Sequence, residues 1–145
     1  MATNIFENKK FMTDSAEQTK KLGKDFASAL KKGDVVFFNG DLGAGKTTFI
    51  QGIMSKFGIK KFVRSASFML VSEFAAKDVS LYHIDLYRLG KTDVYDLGLD
   101  EYLFGEGIAL VEWSERLTGF KDQKRWEIDI EYKDENKRNI MIKRI

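Results

Sequence analysis

Gly40-Asp41-Leu42-Gly43-Ala44-Gly45-Lys46-Thr47-Thr48-Phe49 follows the apolar run Val35-Val36-Phe37-Phe38 and completes the pattern G-x-x-x-x-G-K-[ST]. This stretch decides the fold. Glycines let a backbone wrap closely around a polyphosphate, because no Cβ obstructs the turn. The N–H groups of Asp41 to Thr48 then point inward at the anion, backed by the N-terminus of the helix that follows. Lys46 reaches the β- and γ-phosphates, and the Thr47 hydroxyl holds Mg²⁺. The context agrees: a short buried strand over Val35 to Asn39 precedes the loop. A helix from Thr47 to roughly Phe57 follows it, with Ile50, Ile53, Met54 and Phe57 at helical spacing. The chain is therefore expected to bind a nucleoside triphosphate.

Outward from this loop, Ser15 to Leu30 reads as an amphipathic helix capped by Asp14 or Ser15, with Leu22, Phe26, Ala29 and Leu30 as its apolar stripe. Val63 to Phe74 reads as a loop leading into a strand, and Val79 to Asp85 as another strand. Thr92 to Phe104 reads as a helix interrupted by Gly98. Gly107 to Val111 is a continuous apolar run that suits a central strand. Trp126 to Tyr132 and Asn139 to Ile145 alternate apolar and polar residues around Lys133 to Lys137, a hairpin signal. Strands interleaved with helices around a P-loop predict a three-layer α/β domain. Its sheet is mostly parallel, and mixed because the C-terminal hairpin supplies antiparallel edge strands.

The 145 residues read as one domain, 1–145, with 43% hydrophobic content and enough length for a sizeable core. No apolar run approaches the ~20 residues of a membrane span, and the first ten residues lack the apolar core of a secretory signal. Without cysteine there is no disulfide and no thiolate metal site. A cytoplasmic protein is the expectation. Twenty-four basic and 22 acidic residues leave a net charge of +2, too balanced to argue for nucleic acid. The pairs Lys9-Lys10, Lys20-Lys21, Lys31-Lys32 and Lys60-Lys61 read as solvated faces. Proline is absent, where average usage of about 5% predicts roughly seven.

A P-loop alone holds phosphates; hydrolysis also needs an acid near the metal and a group that orients water. In open α/β sheets such acids sit at the C-terminal ends of strands. Glu112 ends the Ile108 to Val111 run, a Walker B pattern with Glu in place of Asp. Asp85 ends the Leu81 to Ile84 run, on one strand face with Leu81 and His83. His83, the single histidine, reads as a packed or hydrogen-bonded residue rather than a catalytic base. Trp113 is either a core aromatic or a ring beside the nucleotide. Arg88 either pairs with a local acid or stabilises charge near the phosphates.

The ordered motifs Gly40 to Thr48, Ser65-Ala66-Ser67-Phe68, His83-Ile84-Asp85-Leu86-Tyr87-Arg88, Leu97-Gly98-Leu99 with Glu101-Tyr102, and Glu112-Trp113-Ser114-Glu115 resemble the TsaE (YjeE) family of small bacterial ATPases over residues 10–145. The resemblance implies an ATP hydrolase that cycles between ATP and ADP with Mg²⁺. It implies binding to the TsaD–TsaB heterodimer and support for threonylcarbamoyladenosine modification of tRNA, with tRNA met only through the complex. It implies phosphate contacts for Lys46, Mg²⁺ ligation by Thr47 and Glu112, an essential acid at Asp85, and a functional tryptophan at Trp113. Ser65 to Phe68 matches the switch-like segment beside the phosphates, and Arg138 a residue near the adenine. Three positions depart from the family pattern. Ala66 and Ser67 stand where the switch segment reads proline and threonine, and Ser114 stands where a proline often follows. They bear on loop geometry more than on the reacting groups. The rival classes are a small-molecule kinase, a non-hydrolytic ATP-gated binding module and a direct tRNA binder.

Overall fold

A computed structural model describes residues 5–40, 45–60, 71–87, 89–120 and 124–145. The elements are β1 (Lys9–Thr13), α1 (Ala16–Phe26), β2 (Val35–Asn39), α2 (Lys46–Lys56), β3 (Val71–Ala75), β4 (Ser80–Asp85), β5 (Thr92–Asp93), α3 (Asp100–Leu103), β6 (Ile108–Glu112), β7 (Leu117–Thr118), β8 (Trp126–Tyr132) and β9 (Arg138–Arg144). Seven strands form one sheet in the order β1-β9-β8-β2-β6-β4-β3. The neighbours β8, β2, β6 and β4 run parallel, while β3, β9 and β1 pair antiparallel at the two sides. The expected α/β architecture with a mixed sheet is the one observed.

Sequence explains the central strands. Every residue of β6, Ile108-Ala109-Leu110-Val111-Glu112, is buried, as expected for a strand covered on both faces. On one face Val36, Phe38, Leu110, Ile128 and Ile130 pack beneath α1 and α2. Phe26 of α1 sits edge-on against Trp126 at 5.1 Å, and Phe38 against Phe49 of α2 at 5.9 Å. Such pairs add about 1 kcal/mol each beyond their buried area. On the other face Phe37, Ile84 and Val111 meet Leu86, Val94, Leu99, Leu103 and Phe120. Leu86 and the segments 89–104 and 117–120 thus form the third layer.

Ser15 caps α1: its backbone is extended and its hydroxyl accepts a bond from the Gln18 N–H at 3.1 Å. The Gln18 side chain in turn accepts from the Asp14 N–H at 2.7 Å. α1 and α2 cross closely at two glycines. A Cβ on Gly23 would lie 2.2 Å from the Phe49 carbonyl oxygen, and one on Gly52 would lie 2.0 Å from that of Lys20.

Three sequence expectations change. The helix read over Thr92 to Phe104 is instead β5, a 3-10 turn at Asp96–Gly98 and the single turn of α3. Asp93 and Asp96 compete for the backbone, accepting from the Tyr95 and Asp93 N–H groups, and Leu97 and Gly98 both have positive φ. The C-terminal hairpin is not at the sheet edge, because β8 pairs with β2 and β9 is covered by β1. β1 itself is an added strand. The Ser65 to Phe68 segment lies outside the described residues. No helix among the described residues is long and apolar enough to cross a membrane.

Candidate functional site

The parallel strands β2, β6 and β4 end side by side, in register at Phe38, Glu112 and Asp85. The chain leaves β2 through Asn39 and Gly40 and enters α2 at Lys46. Gly45 caps α2 with φ +107, a left-handed conformation that needs glycine. Lys46 is the first residue of α2 and only 5% exposed. Its ammonium donates to the Gly40 carbonyl at 2.7 Å and lies 4.9 Å from the Trp113 ring centre. Thr47 and Thr48, half-buried, complete the first turn, whose leading N–H groups have no partner within a helix. Asp41, Leu42, Gly43 and Ala44 lie outside the described residues, as does Arg88.

Glu112 ends β6 with no solvent exposure. Its Oε2 accepts a hydrogen bond from His83 Nε2 at 2.7 Å, and His83 is buried too. The contact follows from parallel register: His83 lies opposite Leu110, so its ring reaches the carboxylate one pleat further on. It fixes the carboxylate's orientation in a dry environment, where charge-assisted bonds are strong. His83 is accordingly a hydrogen-bonded partner of the acid. Asp85 closes a turn of its own, its Oδ1 accepting from the Tyr87 N–H at 3.0 Å. The Leu86 N–H donates to the Glu112 carbonyl at 3.2 Å, so the two strand ends stay paired.

Trp113 has φ +60, rare for a bulky residue and found mostly at functional turns. Its buried Nε1 has no hydrogen-bond partner among the described residues. One face of this constellation was not legible in the sequence. Arg116 stacks 4.7 Å from the Trp113 ring centre and donates Nη1 to the carbonyls of Leu86 at 3.2 Å, Leu89 at 2.9 Å and Tyr87. It clips the loop after Asp85 to the loop after Glu112. Asn39 and Ser114 form a second tie between strand ends: the Ser114 hydroxyl donates to Asn39 Oδ1 at 3.3 Å, and Asn39 Nδ2 donates to Asp129 at 2.8 Å. No local pattern marks Arg116 or Asn39, because their partners lie dozens of residues away.

The structure therefore brings Lys46, followed in the chain by Thr47, to Trp113, the neighbour of Glu112 in sequence, with Asp85 beside Glu112 in register. Arg138 lies beside Gly45 at the start of α2. It borders a cavity of about 90 Å³ with Ser15, Thr19, Gly45, Thr48 and Asn136, on the α1 side of the helix start. Its Nη1 donates to the carbonyls of Asp134 at 2.9 Å and Lys137 at 3.0 Å, and its guanidinium lies 4.7 Å from the Tyr132 ring centre. Chemically, a lysine, a helix N-terminus and a buried carboxylate around one strand end suit a polyphosphate and its cation. The donors available for a metal are hard oxygens, the Thr47 hydroxyl and the Glu112 carboxylate, and no group of three or more acidic, histidine or cysteine ligands occurs among the described residues. That donor set fits Mg²⁺, which keeps waters and phosphate oxygens rather than an all-protein cage.

Residues 13–140 match the family model of TsaE, the threonylcarbamoyl adenosine biosynthesis protein. The tRNA threonylcarbamoyladenosine biosynthesis protein TsaE of Bacillus subtilis is 40% identical over 131 residues, covering 90% of this chain and 82% of that protein. The Aquifex aeolicus protein of the same description is 41% identical over 140 residues, covering 94% and 96%. The crystal structure of Bacillus subtilis YdiB superposes with a TM-score of 0.77 at 38% identity, covering 94% of this chain and 84% of that one. With the P-loop lysine, the buried strand-end acid and the tryptophan in one site, the chain belongs to the TsaE family of tRNA threonylcarbamoyladenosine biosynthesis proteins.

Proposed function

We propose that this TsaE-family chain is a cytoplasmic, Mg²⁺-dependent ATPase that binds the TsaD–TsaB heterodimer and hydrolyses ATP so that threonylcarbamoyladenosine synthesis can turn over repeatedly. The observation that carries the reading is the buried Lys46, 4.9 Å from the ring of Trp113, next in sequence to the fully buried Glu112 that His83 orients. Lys46 exchanges the Gly40 carbonyl for phosphate oxygens and offsets charge developing on the transferring phosphoryl group. Asp41 to Thr48 supply the N–H cradle. Thr47 and Glu112 would hold Mg²⁺, which would offset the negative charge of the phosphate oxygens. Asp85, beside Glu112, positions the metal's water or the attacking water. Arg138 borders the nucleoside end of the site. tRNA meets the chain only through the complex.

The test counts modified nucleosides formed by purified TsaD–TsaB with excess tRNA and a supplied adenylate donor. With this chain and ATP, product exceeds one per heterodimer, and Lys46→Ala returns it to the level without the chain. Equal product with and without the chain would overturn the reading. Turnover supported without phosphate release would replace hydrolysis by ATP-gated binding.

A further inference from the structure

The segment after β4 carries an exposed apolar surface that the nucleotide site does not use. Tyr95 is 68% and Leu97 67% exposed, and Phe104 is also exposed. Tyr95 and Phe104 rings lie 6.2 Å apart, and Phe104 stacks on Phe120 at 5.4 Å. Leu97 has φ +60, a conformation that L side chains with a Cβ rarely adopt, and it points its isobutyl group into solvent. Backbone strain that presents an apolar side chain to water calls for a role, since both terms oppose folding. The segment is acidic. Residues 91–106 hold Asp93, Asp96, Asp100, Glu101 and Glu106 against the single Lys91, a local charge of −4 in a chain of net charge +2.

We propose that Tyr95, Leu97 and Phe104 form a docking surface for a protein partner that presents an apolar contact ringed by basic side chains. The acidic segment repels nucleic-acid phosphates, so the occupant is protein rather than tRNA. Position gives the surface a consequence. Directly beneath it Val94, Leu99 and Leu103 pack on Ile84 and Val111, the residues just before Asp85 and Glu112. A partner seated here presses on the layer packed against the two strands that end in these acids. The proposal rests on the reading above and assigns TsaD–TsaB to this face.

The experiment measures binding of the full chain to immobilised, purified TsaD–TsaB in ATP and Mg²⁺. Leu97→Asp weakens binding at least about tenfold, as removal of a central apolar anchor does. Leu97→Gly weakens it while the Tm holds or rises, because glycine relieves the positive φ. Glu101→Lys slows association, and the effect shrinks with salt. Met12→Asp, exposed on β1 at the far edge of the sheet, binds like the wild type. If the wild type binds and Leu97→Asp and Glu101→Lys bind equally well, the docking surface is refuted while the reading stands. If the wild type does not bind the heterodimer, that reading fails and takes this assignment with it.

Discussion

Replacing Gly52 by alanine separates what local propensity says from what the packing says. In an isolated helix the change would stabilise by up to about 1 kcal/mol. Here the new Cβ would sit 2.0 Å from the Lys20 carbonyl oxygen and 2.9 Å from the Lys24 nitrogen, where real Cβ atoms keep at least 3.0 Å. The obstructing atoms are backbone of α1, so no side chain can swing away. The helices must separate by about 1 Å, loosening the layer that covers Phe26, Phe49, Ile50 and Ile53. Overpacking of this kind costs about 1–3 kcal/mol, and the loosened layer adds to it, so the net result is a loss of about 2 kcal/mol. For a domain near this size that lowers the Tm by about 4–8 °C. Because α2 begins at Lys46, nucleotide affinity should fall as well. Gly23→Ala strikes the same crossing from the other helix, at 2.2 Å from the Phe49 oxygen. The double variant should therefore cost less than its parts combined. Urea and thermal unfolding of the three variants check this. A Tm for Gly52→Ala equal to or above wild type would refute the close crossing.

Three further outcomes follow from the site and the sheet. His83→Ala strips Glu112 of its 2.7 Å partner and should cost about 1–3 kcal/mol in urea unfolding, with His83→Gln recovering part through its side-chain N–H; an unchanged midpoint for His83→Ala would contradict the pairing. Nucleotide should draw Lys46 from the Trp113 ring and change tryptophan emission, and Trp113→Phe should abolish the change because Trp126 is buried under α1; a signal that survives in Trp113→Phe would place the reporter elsewhere. The hydrogen bond to Asp129 raises the Lys143 pKa above its ordinary 10.5, so this pair stabilises the fold below that pH and its contribution is lost as pH rises through the elevated value. Since the pair is partly exposed, Lys143→Met should cost about 0.5 kcal/mol at pH 7 and converge with wild type in strong alkali, as pH-dependent unfolding would reveal.

The elements that the sequence made legible are those whose signal is local. Val35 to Phe38 is apolar throughout because both its faces are covered, and α2 shows helical periodicity over its buried side. β1 left little trace: Lys9 and Lys10 are exposed on an edge strand, and only Phe11 and Thr13 turn inward. The region 92–104 has helical spacing at Val94, Leu97 and Leu103, yet aspartate-to-backbone bonds and the positive φ of Leu97 and Gly98 break it. In the site, Lys46, Asp85 and Glu112 could be read because each sits at a strand end or in a fixed loop spacing. The His83–Glu112 bond and the Arg116 clip depend on strand register and on partners 27 to 30 residues away, which no window of sequence contains.

Phosphate release by the chain bound to TsaD–TsaB, compared between wild type and Glu112→Ala with ATP binding measured in parallel, tests hydrolysis at this site most directly. The account predicts release at least about 100-fold slower in Glu112→Ala, with ATP affinity within a few-fold of wild type. Equal rates of release would contradict it.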